Sequence, residues 1–203
     1  MRIVIISGGD FSYSEKITAD DYVICADSGY DSAKENGIHV NLLMGDMDSV
    51  KNNISTEKEA ILFPERKDFT DTELALRHAI DMHPDEIVLL GCMGSRADHT
   101  IANIFLLRLL HQSNISGHIE DKNNKIYFYK DKFTLENCKG KTVSLIPLTQ
   151  SIEGITTKGL DYPMNNETMY FGQSKGISNV VIDNQAQYTS QKGEGIIIIT
   201  DGI

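Results

Sequence analysis

The chain has 203 residues, enough for one large domain or two small ones, and its 40% hydrophobic content supports a sizeable core. A formal net charge of −10 argues against nucleic acid or an anionic membrane surface as the main partner, although a metal and local backbone amides can reverse the field in one cleft. Three cysteines without CxxC spacing, no signal-peptide layout and no apolar run near the about 20 residues of a membrane helix lead to the expectation of a soluble, cytoplasmic protein without a zinc site or disulfide framework.

Residues 2–6 are β-branched and nearly continuous, as in a strand buried on both faces, and they end in Ser7-Gly8-Gly9-Asp10. Residues 22–26 repeat the pattern and end in Asp27-Ser28-Gly29; a helix is predicted over 30–36, with Gly37 as its C-terminal cap. A strand over 40–44 leads into Met44-Gly45-Asp46-Met47-Asp48-Ser49. Alternate residues of an extended chain point the same way, so Asp46 and Asp48 aim two carboxylates at one spot, where a hard divalent cation relieves their repulsion. A turn at a strand end accounts for the same residues without any chemistry. A further apolar run over 60–63 precedes Lys67-Asp68-Phe69-Thr70-Asp71. Thr70 and Glu73 have capping-box spacing, which predicts a helix over 71–82 with Asp71 in its first turn. Residues 86–90 form a fifth strand, ending in Gly91-Cys92-Met93-Gly94-Ser95-Arg96-Ala97-Asp98-His99. The long helix that follows carries a stripe of Ile101, Ile104, Phe105 and Leu109, and His99 and Asn103, four apart, share a face. Residues 118–120 add a short strand.

Strands alternating with helices define an α/β domain with a mostly parallel sheet, and such sheets bind ligands at the carboxyl ends of their strands. Five strand candidates each end in a cluster of Gly, Asp, Ser or Arg, which together describe a polar cleft rich in carboxylates. Arg96 on its glycine-bearing loop suits phosphate oxygens, while Asp98 reads equally well as the N-cap of the long helix. No GxGxxG and no GxxxxGK[ST] occurs, so a nucleotide would be held without either fingerprint.

From Asn123 the helical period disappears. Short β-rich runs over 125–129, 133–135, 142–146, 179–182, 185–190 and 195–200 are split by Lys-Gly, Glu-Gly and Asn-rich turns, which predicts an antiparallel sandwich or barrel-like module. The boundary is placed between 1–122 and 123–203. Residues 196–199 are four isoleucines, a strand that must be buried on both faces. The polar stretch Gly172-Gln173-Ser174-Lys175-Gly176-Ile177-Ser178-Asn179 can hydrogen-bond a heteroaromatic amine edge, or serve simply as a hairpin loop.

Taken together, these clusters resemble the thiamine pyrophosphokinase family. The resemblance rests on Cys25-Ala26-Asp27-Ser28-Gly29, Gly45-Asp46-Met47-Asp48-Ser49, Asp68-Phe69-Thr70-Asp71 and Gly94-Ser95-Arg96-Ala97-Asp98-His99 with Asn103. In the second half it rests on Gly159-Leu160-Asp161-Tyr162-Pro163 and Ser174-Lys175-Gly176-Ile177-Ser178-Asn179. Ser28 stands where the family usually has a glycine, and Met47 where phenylalanine is common. The resemblance implies transfer of the pyrophosphoryl group of ATP to the hydroxyethyl oxygen of thiamine, giving thiamine diphosphate and AMP. It implies a Rossmann-like α/β catalytic domain with the ATP and magnesium cleft, a C-terminal β-sandwich that binds thiamine, and a homodimer with the vitamin at the subunit interface. On that reading Asp46, Asp48 and Asp71 hold Mg2+ on the triphosphate. Arg96 steadies phosphate oxygens with Lys67 as a second cation, and Asp68, Thr70, His99 and Asn103 complete the nucleotide side. Asp27 or Asp98 orients the thiamine hydroxyl or accepts its proton, and Ser174, Ser178 and Asn179 line the thiamine pocket. A pyrophosphokinase acting on a hydroxymethyl pterin, and a thiamine or nucleotide sensor without turnover, are the alternatives.

Overall fold

Short apolar runs become the strands of the N-terminal unit in the computed structural model, which describes residues 1–11, 17–46, 59–64 and 68–201. The chain divides into two units, Met1–Lys122 and Asn123–Ile203. The first contains β1 (Arg2–Ile6), β2 (Tyr22–Ala26), α1 (Gly29–Glu35), β3 (Leu42–Gly45), β4 (Glu59–Leu62), α2 (Asp71–Asp81), β5 (Glu86–Leu90), α3 (Ala97–Gln112) and β6 (Ser116–Glu120). Its strands lie in the order β6-β5-β1-β2-β3-β4, and each neighbouring pair is parallel. β1, β2 and β5 are buried along four successive residues, as strands covered on both faces must be. Helix α1 buries Tyr30 and Ala33, and α2 buries Thr72, Ala75, Leu76 and Ala79, a single stripe at helical spacing.

Only half of the capping box forms at α2. The Thr70 hydroxyl accepts from the Glu73 amide at 3.2 Å, but the Glu73 carboxylate turns to Arg77, at 2.7 Å, instead of reaching back to the cap. Helix α3 departs further from expectation. Its buried residues are Asn103, Leu107 and Leu110, whereas Ile101 and Phe105 of the predicted stripe are 51% and 54% exposed. A polar contact sets the rotation: the Asn103 side-chain amide donates to the Cys92 carbonyl at 2.9 Å and draws its own face of the helix inward. Nor is Asp98 the N-cap; that position is Arg96, and Asp98 lies in the first turn.

The second unit is all strand: β7 (Asn124–Glu136), β8 (Thr142–Pro147), β9 (Ser151–Lys158), β10 (Glu167–Tyr170), β11 (Asn179–Val180) and β12 (Gln185–Thr200). Its pairings are antiparallel, with β12 bonded to β7, β8 and β9, β10 to β9, and β11 to β8. Two pairs of predicted runs merge into the single long strands β7 and β12, the latter carrying a register shift between Thr189 and Glu194. The four isoleucines lie where β12 is bonded on both sides, Ile196 facing Phe128 and Ile146. The core of this unit includes Tyr129, Leu145, Ile152, Tyr188 and Ile197.

One ion pair ties the start of the chain into the sheet. Arg2 reaches Asp21 through two hydrogen bonds of 2.8 Å, and the Thr18 amide adds a third to the same carboxylate at 2.7 Å. The guanidinium holds the Asp21 carboxyl below its ordinary 3.8. Because the folded state binds its proton more weakly than the unfolded chain, this contribution is complete above about pH 4 and is lost as pH falls through the folded value. Asp21→Asn should lower stability by about 1.5–3 kcal/mol at neutral pH, the range for hydrogen bonds to a charged group. It should also flatten the loss of stability below pH 4. Urea titrations at several pH values check both.

Candidate active site

The loops after β1 and β5 are zipped together along their main chains. Ser7 N donates to Leu90 O at 2.8 Å, Gly9 N to Gly91 O at 2.8 Å, and Asp10 N to Met93 O at 2.7 Å. This approach requires glycine: a Cβ at Gly9 would strike the Met93 and Gly91 carbonyls, and Gly91 sits at φ +63° with its missing Cβ aimed at the Ser7 carbonyl. Beneath the loops the Thr72 hydroxyl bonds the Ser7 hydroxyl at 3.0 Å, which ties the N-terminus of α2 to the end of β1. Burial pushes the neighbouring Cys92 thiol up to about 12, so it is neither a nucleophile nor a thiolate ligand at neutral pH.

Above this floor, at the carboxyl ends of the parallel strands, lies a cavity of about 500 Å3 whose walls include Asp10, Asp27, Asp71, Arg96, His99 and Asn103. Asp27 follows β2 with φ +49°, a backbone conformation that a non-glycine residue adopts at a cost and that concentrates at functional positions. Its amide donates to the Met44 carbonyl at 2.8 Å. With Ala26 in register with Met44, Asp27 and Asp46 therefore leave the same edge of the sheet. Asp71 opens α2, where the exposed amides of a helix start favour negative charge. Thr70 also lines the cavity, whereas the exposed Asp68 does not. Asp46 follows β3 but is not among the lining residues, and Asp48 and Lys67 lie outside the described residues.

The structure joins Arg96 and Asp98 in space but places only one of them on the cavity wall. Arg96 Nη2 lies 2.6 Å from Asp98 Oδ2, both side chains about two-thirds exposed at 67% and 66%, and Arg96 alone of the two lines the cavity. The guanidinium, helped by the His99 amide, pulls the Asp98 carboxyl down to about 2. While the pair is closed, both groups are occupied with one another. Asn103 lines the cavity too, but its amide holds Cys92, so it positions the β5 loop and α3. Asp10 is a wall residue that the sequence places in a strand-end cluster without singling it out; the β1–β5 zipper that brings it here is a tertiary event.

The C-terminal unit has its own cavity of about 380 Å3, lined by Tyr162, Met164, Glu167, Lys175, Ser178 and Asn179 among others. Ser178 stands at φ +58° with its amide bonded to the Ser144 hydroxyl at 3.0 Å, leaving its own side chain on the cavity wall. Asn179 is occupied differently. Its Oδ1 accepts from Tyr162 N at 3.0 Å and Val180 N at 2.9 Å, while its Nδ2 donates to Tyr162 O at 2.8 Å. This buried amide thus clamps the Tyr162 peptide from both sides, and the Tyr162 side chain remains 71% exposed beside the cavity. Ser174 is exposed and is not a lining residue. Sequence reasoning assigned no role to Tyr162 or Glu167; the Tyr-Pro dipeptide was the available signal for the first.

Comparison with known proteins agrees with both halves. The family model "Thiamin pyrophosphokinase, catalytic domain" matches residues 13–118, and "Thiamin pyrophosphokinase, vitamin B1 binding domain" matches residues 124–193. The thiamine pyrophosphokinase of Bacillus subtilis (strain 168) is 31% identical over 207 aligned positions, covering 97% of each chain. The crystal structure of a Bacillus subtilis thiamine pyrophosphokinase superimposes over 100% of both chains with a TM-score of 0.88 and 27% identity. The yeast thiamin pyrophosphokinase shares the fold, with a TM-score of 0.75 at 15% identity over 98% of this chain and 86% of that one. With two family models in tandem and a relative aligned along nearly its whole length, this chain belongs to the thiamine pyrophosphokinase family.

Proposed function

We propose that this protein transfers the pyrophosphoryl group of ATP to thiamine, giving thiamine diphosphate and AMP. The observation that carries the reading is the strand-end cavity, where Asp27, Asp71 and Arg96 face a glycine-lined floor in the part of the chain that matches the family's catalytic domain. The N-terminal unit, in this reading, is a Rossmann-like catalytic domain, and the C-terminal unit a sandwich that holds the vitamin. In the reaction the thiamine hydroxyl oxygen forms a bond to Pβ of ATP. The bond from Pβ to the oxygen bridging it to Pα breaks, and AMP leaves with that oxygen. Such transfer needs alignment and charge neutralisation more than covalent help.

Oxygen-only donors at a strand end suit a hard cation, and magnesium on phosphates needs one or two protein carboxylates beside water. No group of three metal-binding side chains assembles among the described residues. Asp46 and Asp71 are proposed to hold Mg2+, with Asp48 as the third carboxylate; the ion would neutralise charge on the triphosphate. Arg96 takes a phosphate oxygen, and Asp98 holds the guanidinium in place until the phosphate arrives. Lys67, Asp68, Thr70 and His99 belong to the nucleotide side. Asp27 orients the thiamine hydroxyl and takes its proton, because it lines the strand-end cavity whereas Asp98 does not and is turned to Arg96. In the C-terminal cavity Ser178 offers its hydroxyl to the aminopyrimidine, and Ser174 belongs to the loop at its rim. The Tyr162 ring offers a π face to the cationic vitamin, held in place by Asn179.

A homodimer in the cytoplasm, with thiamine at the subunit interface, completes the proposal. The side chains of Ile101 and Phe105 on α3 and of Tyr170 and Phe171 in the second unit expose apolar surface of the kind another subunit covers.

The decisive experiment mixes purified protein with ATP, Mg2+ and thiamine and identifies the products. AMP and thiamine diphosphate in equal amounts are expected; ADP with thiamine monophosphate, or no thiamine product, would overturn the reading. Asp46→Asn and Asp71→Asn should each reduce kcat by at least about a hundredfold, the order of one lost electrostatic contact in a transition state, with urea midpoints near the parent value. Activity retained in both would remove the metal assignment. Ser178→Ala should raise the thiamine KM about fivefold to tenfold, as loss of one hydrogen bond predicts, and leave the KM for ATP unchanged; steady-state kinetics in each substrate decides it.

A further inference from the structure

The charged side chains lining the C-terminal cavity are Glu167, from β10, and Lys175, from the loop that precedes β11. They form an ion pair with Nζ 2.5 Å from Oε2, and both remain partly exposed, at 44% for the lysine and 37% for the glutamate. Neither is committed to the core, so the pair is of the kind that can open at little cost. The rest of the wall is apolar or neutral: Tyr162, Pro163, Met164, Ile177, Ser178 and Asn179.

Thiamine brings a thiazolium ring whose positive charge is permanent and cannot be shed by losing a proton. Next to Lys175 that charge is repelled; next to Glu167 it is attracted. We propose that Glu167 is a specificity-determining residue, held by Lys175 and released to a fixed ring cation, so the cavity selects cationic over neutral rings of the same shape. The inference rests on the reading of this cavity as the vitamin site and adds to it a charge filter made by this chain's own glutamate, with the lysine as the counter-ion a cation displaces. A neutral ring gains nothing from Glu167 and leaves the ion pair closed. A cationic ring takes the place of the ammonium group, which swings into water on its long arm.

The two charges make opposite demands, and the test uses that. Thiamine binding is measured by calorimetry and by KM for the wild type, Lys175→Met, Glu167→Gln and the double variant. Lys175→Met should tighten thiamine about threefold to tenfold and Glu167→Gln weaken it by a similar factor, the scale of one nearby charge in a solvated site. The double variant should fall between them. The KM for ATP should stay within about twofold, and the differences in thiamine affinity should shrink as salt rises from low to high ionic strength. A thiamine analogue with an uncharged aromatic ring in place of the thiazolium should bind wild type and Lys175→Met alike. Unaltered thiamine affinity in both single variants at low salt would overturn the proposal, as would an analogue that tightens as thiamine does. If the wild type turns thiamine over while the variants show no shift, this inference alone fails. If the shifts appear in binding but no AMP forms, the reaction assigned above fails and the charge filter stands.

Discussion

The main-chain zipper between the loops after β1 and β5 is the constraint on which the rest of the N-terminal unit depends. It admits no side chain at Gly9, fixes Gly91 in a left-handed turn, and leaves Ser7 and Cys92 facing one another beneath the cavity. Thr72 and Asn103 are then latched onto it from α2 and α3. The starts of both helices are thereby aimed at one space, and Asp71 and Arg96 arrive there as passengers of their helices. Backbone fixed in this way, holding charged tips, suits transfer from a polyanionic nucleotide to a hydroxyl, since alignment and fixed dipoles supply most of the rate.

In the function and selectivity proposed above, both units keep a working charge inside an ion pair, Arg96 with Asp98 and Glu167 with Lys175. Each pair is substantially exposed, so neither adds much to stability. Their value lies in keeping the charged groups ordered and partly neutralised until a ligand of matching charge takes over one side. A chain with a net charge of −10 can in this way present a local cation to phosphate and a local anion to a vitamin cation.

Much of the fold and of the cleft is legible in the sequence because strand ends in an α/β unit are both a chemical and a topological signal. Asp27, Asp71 and Arg96 read as members of one cleft from their positions in the chain alone, each by its place after a β-branched run or at a helix start. The stripe on helix α3 misleads because an apolar count says which side chains prefer burial, not which contact is strongest. Leu107 and Leu110 supply the apolar part of the inward face, and the Asn103 amide, bonded to the Cys92 carbonyl, fixes it there while Ile101 and Phe105 stay outside. Asn179 lines its cavity as the sequence leads one to expect, but its engagement with the Tyr162 peptide is not legible there, because it depends on two segments 17 residues apart meeting. β9 is hidden because Gly154, at φ +69°, interrupts its period, and β10 because four residues carry too little pattern. Asp48 and Lys67, so plain in the sequence, fall outside the residues the structure describes.

The placement of β12 has a consequence for how the protein is made. This strand bonds β7, β8 and β9, yet it follows all of them in the chain. During synthesis the earlier strands emerge from the ribosome with open edges and with the apolar faces of Tyr129, Leu145 and Ile152 uncovered, because their common partner has not yet been translated. The N-terminal sheet has no such debt for most of its strands, since β1 to β4 can pair with neighbours already present. Vectorial synthesis thus hands the cell a folded first half attached to a sticky second half, and only the arrival of the isoleucine run ends that exposure.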